Sequence, residues 1–105
     1  MDRIYVQTNA ADGNEVVAFD RNGDGRLTPL GRFATGGRGS GVPHLASQSS
    51  LALDGDRLLV ANAGSDEVSL FRVTGEGIEL AARAASGGSA PTSIAVHGDL
   101  AYVLN

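Results

Sequence analysis

Apolar positions along the chain fall into short runs separated by turn chemistry. Residues 55–75, GDRLLVANAGSDEVSLFRVTG, show the pattern in full: an apolar run at 58–61 breaks at Asn62 into Ala63-Gly64-Ser65-Asp66, resumes as Glu67-Val68-Ser69-Leu70-Phe71, and ends at Thr74-Gly75. Two such runs around a polar turn predict a β-hairpin. The same order opens the chain as DRIYVQTNAADGNEVVAFD at 2–20, and its first half returns as DLAYVLN at 99–105. Recurrence at this scale predicts a repeat architecture.

Taken in order, the β-branched and aromatic run at 3–8 predicts a strand, NAADGN a turn, and 15–20 a second strand. Asn22-Gly23 and Asp24-Gly25 are reversal signals, because these residues tolerate positive φ. A third strand at about 27–34 contains Pro29, which lacks a ladder N–H, and Gly31, which has no side chain to pack, so it is expected at a sheet edge. Residues 36–49, GGRGSGVPHLASQS, have no periodicity and read as a loop. Strand patterns resume at 50–53, 57–62, 67–73, 78–85 and 92–96. The segment IELAARAAS is rich in helix formers. It is short for a helix, it alternates Ile78, Leu80, Ala82 and Ala84 on one face, and its counterpart LTPLGRFA carries helix-breaking Pro29. Strand is the consistent reading.

The pieces superpose. Gly36-Gly37 matches Gly87-Gly88, Phe19 matches Phe71, and Val60 matches Val103 at a spacing of about 43 residues. Calling the strands of the unit a to d, the chain runs b-c-d, a-b-c-d, a-b. A four-stranded meander, with small residues inside and an edge-like outer strand, is the sequence form of a β-propeller blade. The expected fold is therefore all-β: a propeller segment of about two four-stranded antiparallel blades in an incomplete ring. Residues 1–37 form an incomplete blade without its inner strand, 38–49 a long connecting loop, 50–88 a complete blade, and 89–105 the start of a third. Complete rings have about four to eight blades, so this reading expects the N-terminal part of a longer protein, completed by its remaining blades or by self-association.

Composition adds little that conflicts. Apolar residues make up 42% and charged residues 19%, with 15 glycines, which suits a turn-rich globular chain. A net charge of -4 gives no general attraction to phosphate backbones or anionic membranes, so neither nucleic acid nor membrane is expected as a partner. The chain has no cysteine, hence no disulfide, thiolate metal site or cysteine nucleophile. MDRIYVQTN lacks the basic-then-apolar form of a secretion signal, and the expected compartment is the cytoplasm.

YVQTN at 5–9, LVANAGSDEVSLF at 59–71 and GSAPTSIAV at 88–96 resemble the YVTN repeats of lactonase-type seven-bladed β-propellers. That group includes propeller-type 6-phosphogluconolactonase and carboxymuconate cyclase-like proteins. The resemblance covers essentially the whole chain and implies, for a full-length form, hydrolysis or cyclisation of a sugar-acid or organic-acid lactone without a cofactor. A fragment alone is expected to be inactive. The same repeat also serves binding proteins, so a non-catalytic propeller scaffold for a protein or small ligand is the alternative. The chain departs from the pattern with Asp54-Gly55-Asp56-Arg57 where Ser-Pro-Asp-Gly is common, and with Gln7 in the first b strand.

A d-to-a connection carries the chain from rim to axis, so the long loop at 38–49 is the candidate site. His44, following Pro43, suits a general base that deprotonates water. Arg38 suits a phosphate or carboxylate anchor, and Gln48 a donor to a substrate hydroxyl or oxyanion. The plainer readings are a turn-capping histidine, a solvated arginine and a glutamine satisfying backbone groups. Gly36-Gly37-Arg38-Gly39-Ser40-Gly41 lacks the lysine of a phosphate-binding loop and reads as a glycine turn. DRNGDGRLT matches early positions of a calcium loop but has Gly31 at its twelfth, so a hairpin turn is expected and no metal. His97 reads as a surface residue.

Overall fold

The computed structural model describes residues 2–42 and 49–105. Among these residues nine strands form three antiparallel sheets in chain order. The first contains β1 (Asp2–Gln7), β2 (Glu15–Arg21) and β3 (Leu27–Ala34). The second contains β4 (Leu51–Asp54), β5 (Arg57–Asn62), β6 (Glu67–Thr74) and β7 (Gly77–Ala85). The third is the hairpin of β8 (Ser93–His97) and β9 (Leu100–Leu104). Each sheet is a meander, and none is closed. The all-β expectation holds, and the strands lie within a residue or two of those expected. IELAARAA is strand, and Pro29 sits on β3 at the edge of its sheet. Among the described residues no helix is long and apolar enough to cross a membrane.

The first and second sheets bury a common core of Val16, Leu58, Val60, Phe71 and Ile78, flanked by Tyr5, Phe33, Leu51 and Val73. Phe71 and Leu58 are about 1% exposed, so each contributes close to the full 1.5–3 kcal/mol of a buried large side chain. The Phe33 ring lies where side chains at Gly31 and Gly77 would stand; a Cβ on Gly31 would come 3.1 Å from its tip. These two glycines leave room for the aromatic that joins β3 to β7.

One sequence expectation is corrected. Ile78, Leu80, Ala82 and Ala84 do not share a face, because Phe71 pairs with Leu80 while Leu70 pairs with Ala82, leaving Ala81 as an extra residue. This bulge reverses the alternation. Ile78 and Leu80 lie on the Phe71 face toward the first sheet, whereas Ala82 and Ala84 lie on the Val68 and Leu70 face toward the third. The first sheet has the same device, with Leu30 extra between the pairs Phe19–Pro29 and Ala18–Gly31. A period-two reading cannot see a bulge, since an extra residue leaves no compositional mark.

Arginines at the first inward position of successive b strands tie neighbouring sheets together. Arg3 donates to the carbonyls of Thr74 (2.6 Å), Gly75 (2.7 Å) and Gly77 (3.2 Å) in the β6–β7 turn, and pairs with Asp20 at 3.6 Å. Arg57 pairs with Asp54 and donates to the Gly98 carbonyl (2.9 Å) in the β8–β9 turn. Leu100 holds the corresponding position in β9.

Candidate functional site

At the opposite end of the strands, two turns and two connectors meet. The turns are 8–14, between β1 and β2, and 63–66, between β5 and β6; the connectors leave β3 and β7. At the centre, Asn62 is fully buried. Its Oδ1 accepts from Asn14 Nδ2 (3.0 Å) and from the Thr35 hydroxyl (2.7 Å), and its Nδ2 donates to Ser69 Oγ (2.8 Å). Ser69 in turn donates to the Thr35 carbonyl (2.7 Å), and Asn14 Nδ2 also donates to Gln7 Oε1 (2.8 Å). Gln7 Nε2 is buried without a partner among the described residues. Five side chains thus form one hydrogen-bonded network where β3 ends and β5 ends, with Gln7 Nε2 as its unpaired donor among the described residues.

The second connector repeats the arrangement. Ser86, directly after β7, donates to Asn105 Oδ1 (2.7 Å), as Thr35, directly after β3, donates to Asn62. Gly36 and Gly87 both adopt positive φ, +81° and +85°, which glycine accepts without strain. The following glycine packs on the asparagine: a Cβ on Gly37 would come 2.6 Å from Asn62 Cγ, and one on Gly88 2.9 Å from Asn105 Cγ. The recurring Gly-Gly is therefore the seat of the next b strand's asparagine. Asn14, Thr35, Asn62 and Ser69 are not among the residues that the sequence pattern marks as candidates. The signal was present, in the asparagine ending two b strands and the hydroxyl residue preceding each Gly-Gly.

The first connector is clamped between the two turns. Its consecutive N–H groups are all engaged: Gly37 with Thr35 Oγ1 (3.1 Å), Arg38 with Ser65 Oγ (2.9 Å), Gly39 with Ala10 O (2.8 Å), Ser40 with Asn9 Oδ1 (2.8 Å), and Gly41 with Asn9 O (2.9 Å). A side chain on Gly39 would overlap the Asn9 backbone, and one on Gly64 the Gly39 carbonyl. Here glycine permits close approach, and with its donors spent the segment offers no backbone cradle to an anion. Arg38 is exposed, with Nη2 3.4 Å from the Gly64 carbonyl. Among the described residues no carboxylate lies within ion-pairing distance of it. It borders an open depression of about 610 Å³ lined also by Asp12, Asn14, Glu15 and Gly36. Glu15 is occupied by Arg32 at 3.2 Å, and Arg83 by Glu67 at 3.6 Å.

Of the predicted site residues, Arg38 stands on this face, while His44 and Gln48 lie outside the described residues. His97 is exposed at the far end of β8, away from the connectors. DRNGDGRLT is a hairpin turn: Asn22 N donates to Arg26 O (2.8 Å), and Asp24 Oδ1 accepts from Arg26 N (3.0 Å). Among the described residues no three His, Cys, Asp or Glu side chains gather as metal ligands. Comparison of the chain with protein-family models, curated proteins and solved structures finds no match.

Proposed function

We propose that the chain is a segment of a β-propeller whose connector face holds a small carboxylate- or phosphate-bearing ligand, of the sugar-acid or organic-acid lactone class. The observation that carries this reading is the state of Arg38: its backbone N–H and carbonyl are held by Ser65 Oγ and Gly64 N, while its exposed side chain, with Nη2 3.4 Å from the Gly64 carbonyl, borders a 610 Å³ depression and makes no ion pair among the described residues. A planar five-donor cation on a rigid support suits bidentate capture of an oxyanion. In the full ring the reaction is lactone hydrolysis, with His44 removing a proton from water and Gln48 donating to the developing oxyanion. The meander order and the repeated hydroxyl-Gly-Gly–asparagine contact support the blade reading.

A second reading, a non-catalytic propeller scaffold, is favoured by the engagement of Asn14, Thr35, Asn62 and Ser69 with one another and of the Asn9 side chain with Ser40, which leaves these groups occupied in structure. Titration with gluconate 6-phosphate, followed by backbone NMR, separates ligand binding from its absence. Shifts confined to residues around 36–42, lost in Arg38→Ala, support the ligand site; an unperturbed spectrum rejects it. Lactone hydrolysis by a polypeptide carrying the remaining blades, unchanged in kcat/KM by His44→Ala, removes that residue from the mechanism.

A further inference from the structure

The third sheet is a lone hairpin, and β9 is poorly covered: Leu100, Tyr102 and Leu104 are 59%, 61% and 65% exposed. Between it and the second sheet lies an apolar trough of about 270 Å³ lined by Leu59, Val68, Leu70, Ala82, Ala84 and Val103. The corresponding space between the first and second sheets is filled by Phe33, where the second sheet has only Ala84, and from the other side by Phe71 and Ile78. The trough therefore takes large apolar side chains from a sheet in the third position.

The chain itself carries such a sheet. β1 matches β9 residue by residue, with Asp2, Tyr5 and Val6 standing for Asp99, Tyr102 and Val103. The outer face of the first sheet presents Ile4, Val6, Val17 and Phe19, at the positions of Leu58, Val60, Ser69 and Phe71. Those are the positions through which the second sheet meets the first. Ile4 and Val6 are 36% and 45% exposed, and β1 has an unpaired edge where the second sheet has β4.

We propose that the 105-residue chain assembles head to tail with further copies of itself. β1 of each copy takes the edge of β8 that β9 occupies within the chain, and the outer face of its first sheet seats in the neighbour's trough. The ladder bonds lost from β9 are replaced by those of β1, in the register Val96 opposite Ile4 and Ile94 opposite Val6, taken from the β8–β9 pairing. The gain is the covering of the trough and of the outer face of the first sheet, against which β9 gives up Val103 and the Asn105–Ser86 bonds, its Leu100, Tyr102 and Leu104 being largely exposed already. A short two-stranded hairpin is marginal by itself, so β9 is the strand that yields. The contact joins different surfaces and so propagates until the rotation closes. Each copy contributes two blades, and rings of about four to eight blades correspond to about two to four copies.

The proposal rests on the blade reading above, and not on the ligand reading. Its test is native mass spectrometry and sedimentation of the whole chain over a dilution series. The expected result is a closed species of discrete copy number, lost in Val6→Lys and retained in Val42→Lys, a change at an exposed connector position. Circular dichroism showing a folded Val6→Lys monomer separates lost docking from lost folding. Because the chain has no cysteine, a mixture of Ile4→Cys and Val96→Cys chains is expected to form an intermolecular disulfide, and a mixture with Leu53→Cys in place of Ile4→Cys is not. A wild-type chain that stays monomeric at all concentrations overturns assembly between copies while leaving the blade reading standing. Assembly without the Ile4–Val96 crosslink overturns the strand exchange and the blade register together.

Discussion

Asn62→Ala and Asn105→Ala form a matched pair, the same substitution at equivalent ends of two b strands. Asn62 is fully buried and makes three side-chain hydrogen bonds, at 3.0, 2.7 and 2.8 Å. Removing it leaves Asn14 Nδ2, the Thr35 hydroxyl and Ser69 Oγ without that partner. Two of the three have alternatives: Asn14 Nδ2 keeps Gln7 Oε1 at 2.8 Å, and the Thr35 hydroxyl lies 3.1 Å from the Asn14 carbonyl. Ser69 keeps its bond to the Thr35 carbonyl but loses the group that donated to it. An unsatisfied buried group costs about 1–3 kcal/mol, and the vacated volume adds to that, so the expected loss is about 2–4 kcal/mol. Asn105 is exposed, its partners Ser86 Oγ and Ser86 O can turn to water, and the expected loss is below about 1 kcal/mol. Urea unfolding followed by circular dichroism reads both, as a shift of midpoint at constant slope. Equal losses for the two variants, or a loss under about 1 kcal/mol for Asn62→Ala, refute the account of the network as the fastening between the first two sheets.

Arg3→Ala is expected to lower stability by about 1–3 kcal/mol, since one side chain, only 20% exposed, serves three carbonyls of the β6–β7 turn. Arg3→Lys should restore little of it in the same unfolding assay, because an ammonium cannot reproduce the fork. Gly39→Ala should destabilise by more than Gly13→Ala, because an added Cβ overlaps Asn9 backbone at the first and meets nothing within 4 Å at the second. Gly13→Ala is expected to be neutral or to stabilise by up to about 1 kcal/mol, through the lower entropy of the unfolded chain. Ala90 has φ of +52°, which costs an L-residue about 1–2 kcal/mol. Because Ala90 is exposed, Ala90→Gly should raise the unfolding midpoint, and an unchanged or lower midpoint counts against strain at that position.

Most of the strand plan was legible in the sequence because turns and alternation are local. Asn22-Gly23 and Asp24-Gly25 mark a reversal from their own backbone preferences, and Pro29 announces an edge strand by lacking a donor. The bulges at Leu30 and Ala81 were not legible, since they depend on which residues of a neighbouring strand stand opposite. The clamped connector was half legible. Its glycines were visible, but the composition of a segment does not distinguish a glycine needed for positive φ, such as Gly36, from one needed because another backbone lies against it, such as Gly39 or Gly64. Arg38 is legible from its charge and its place in a loop. The polar network around Asn62 is not legible because its members lie as far as 62 residues apart, from Gln7 to Ser69, and each taken singly is an ordinary polar residue.

The bulge at Ala81 has a consequence for how the molecule comes apart. One half of β7 commits Ile78 to the core with the first sheet, while the other half commits Ala82 and Ala84 to the trough beside the third. The half that enters the buried core binds the first two sheets into one cooperative unit, whereas the half that lines the open trough holds the third sheet less firmly. The β8–β9 hairpin, whose one buried apolar side chain among the described residues is Ile94, behaves as a fraying end. Amide exchange should accordingly show two levels of protection: a high one shared by β2, β5 and β6, and a low one confined to β8 and β9.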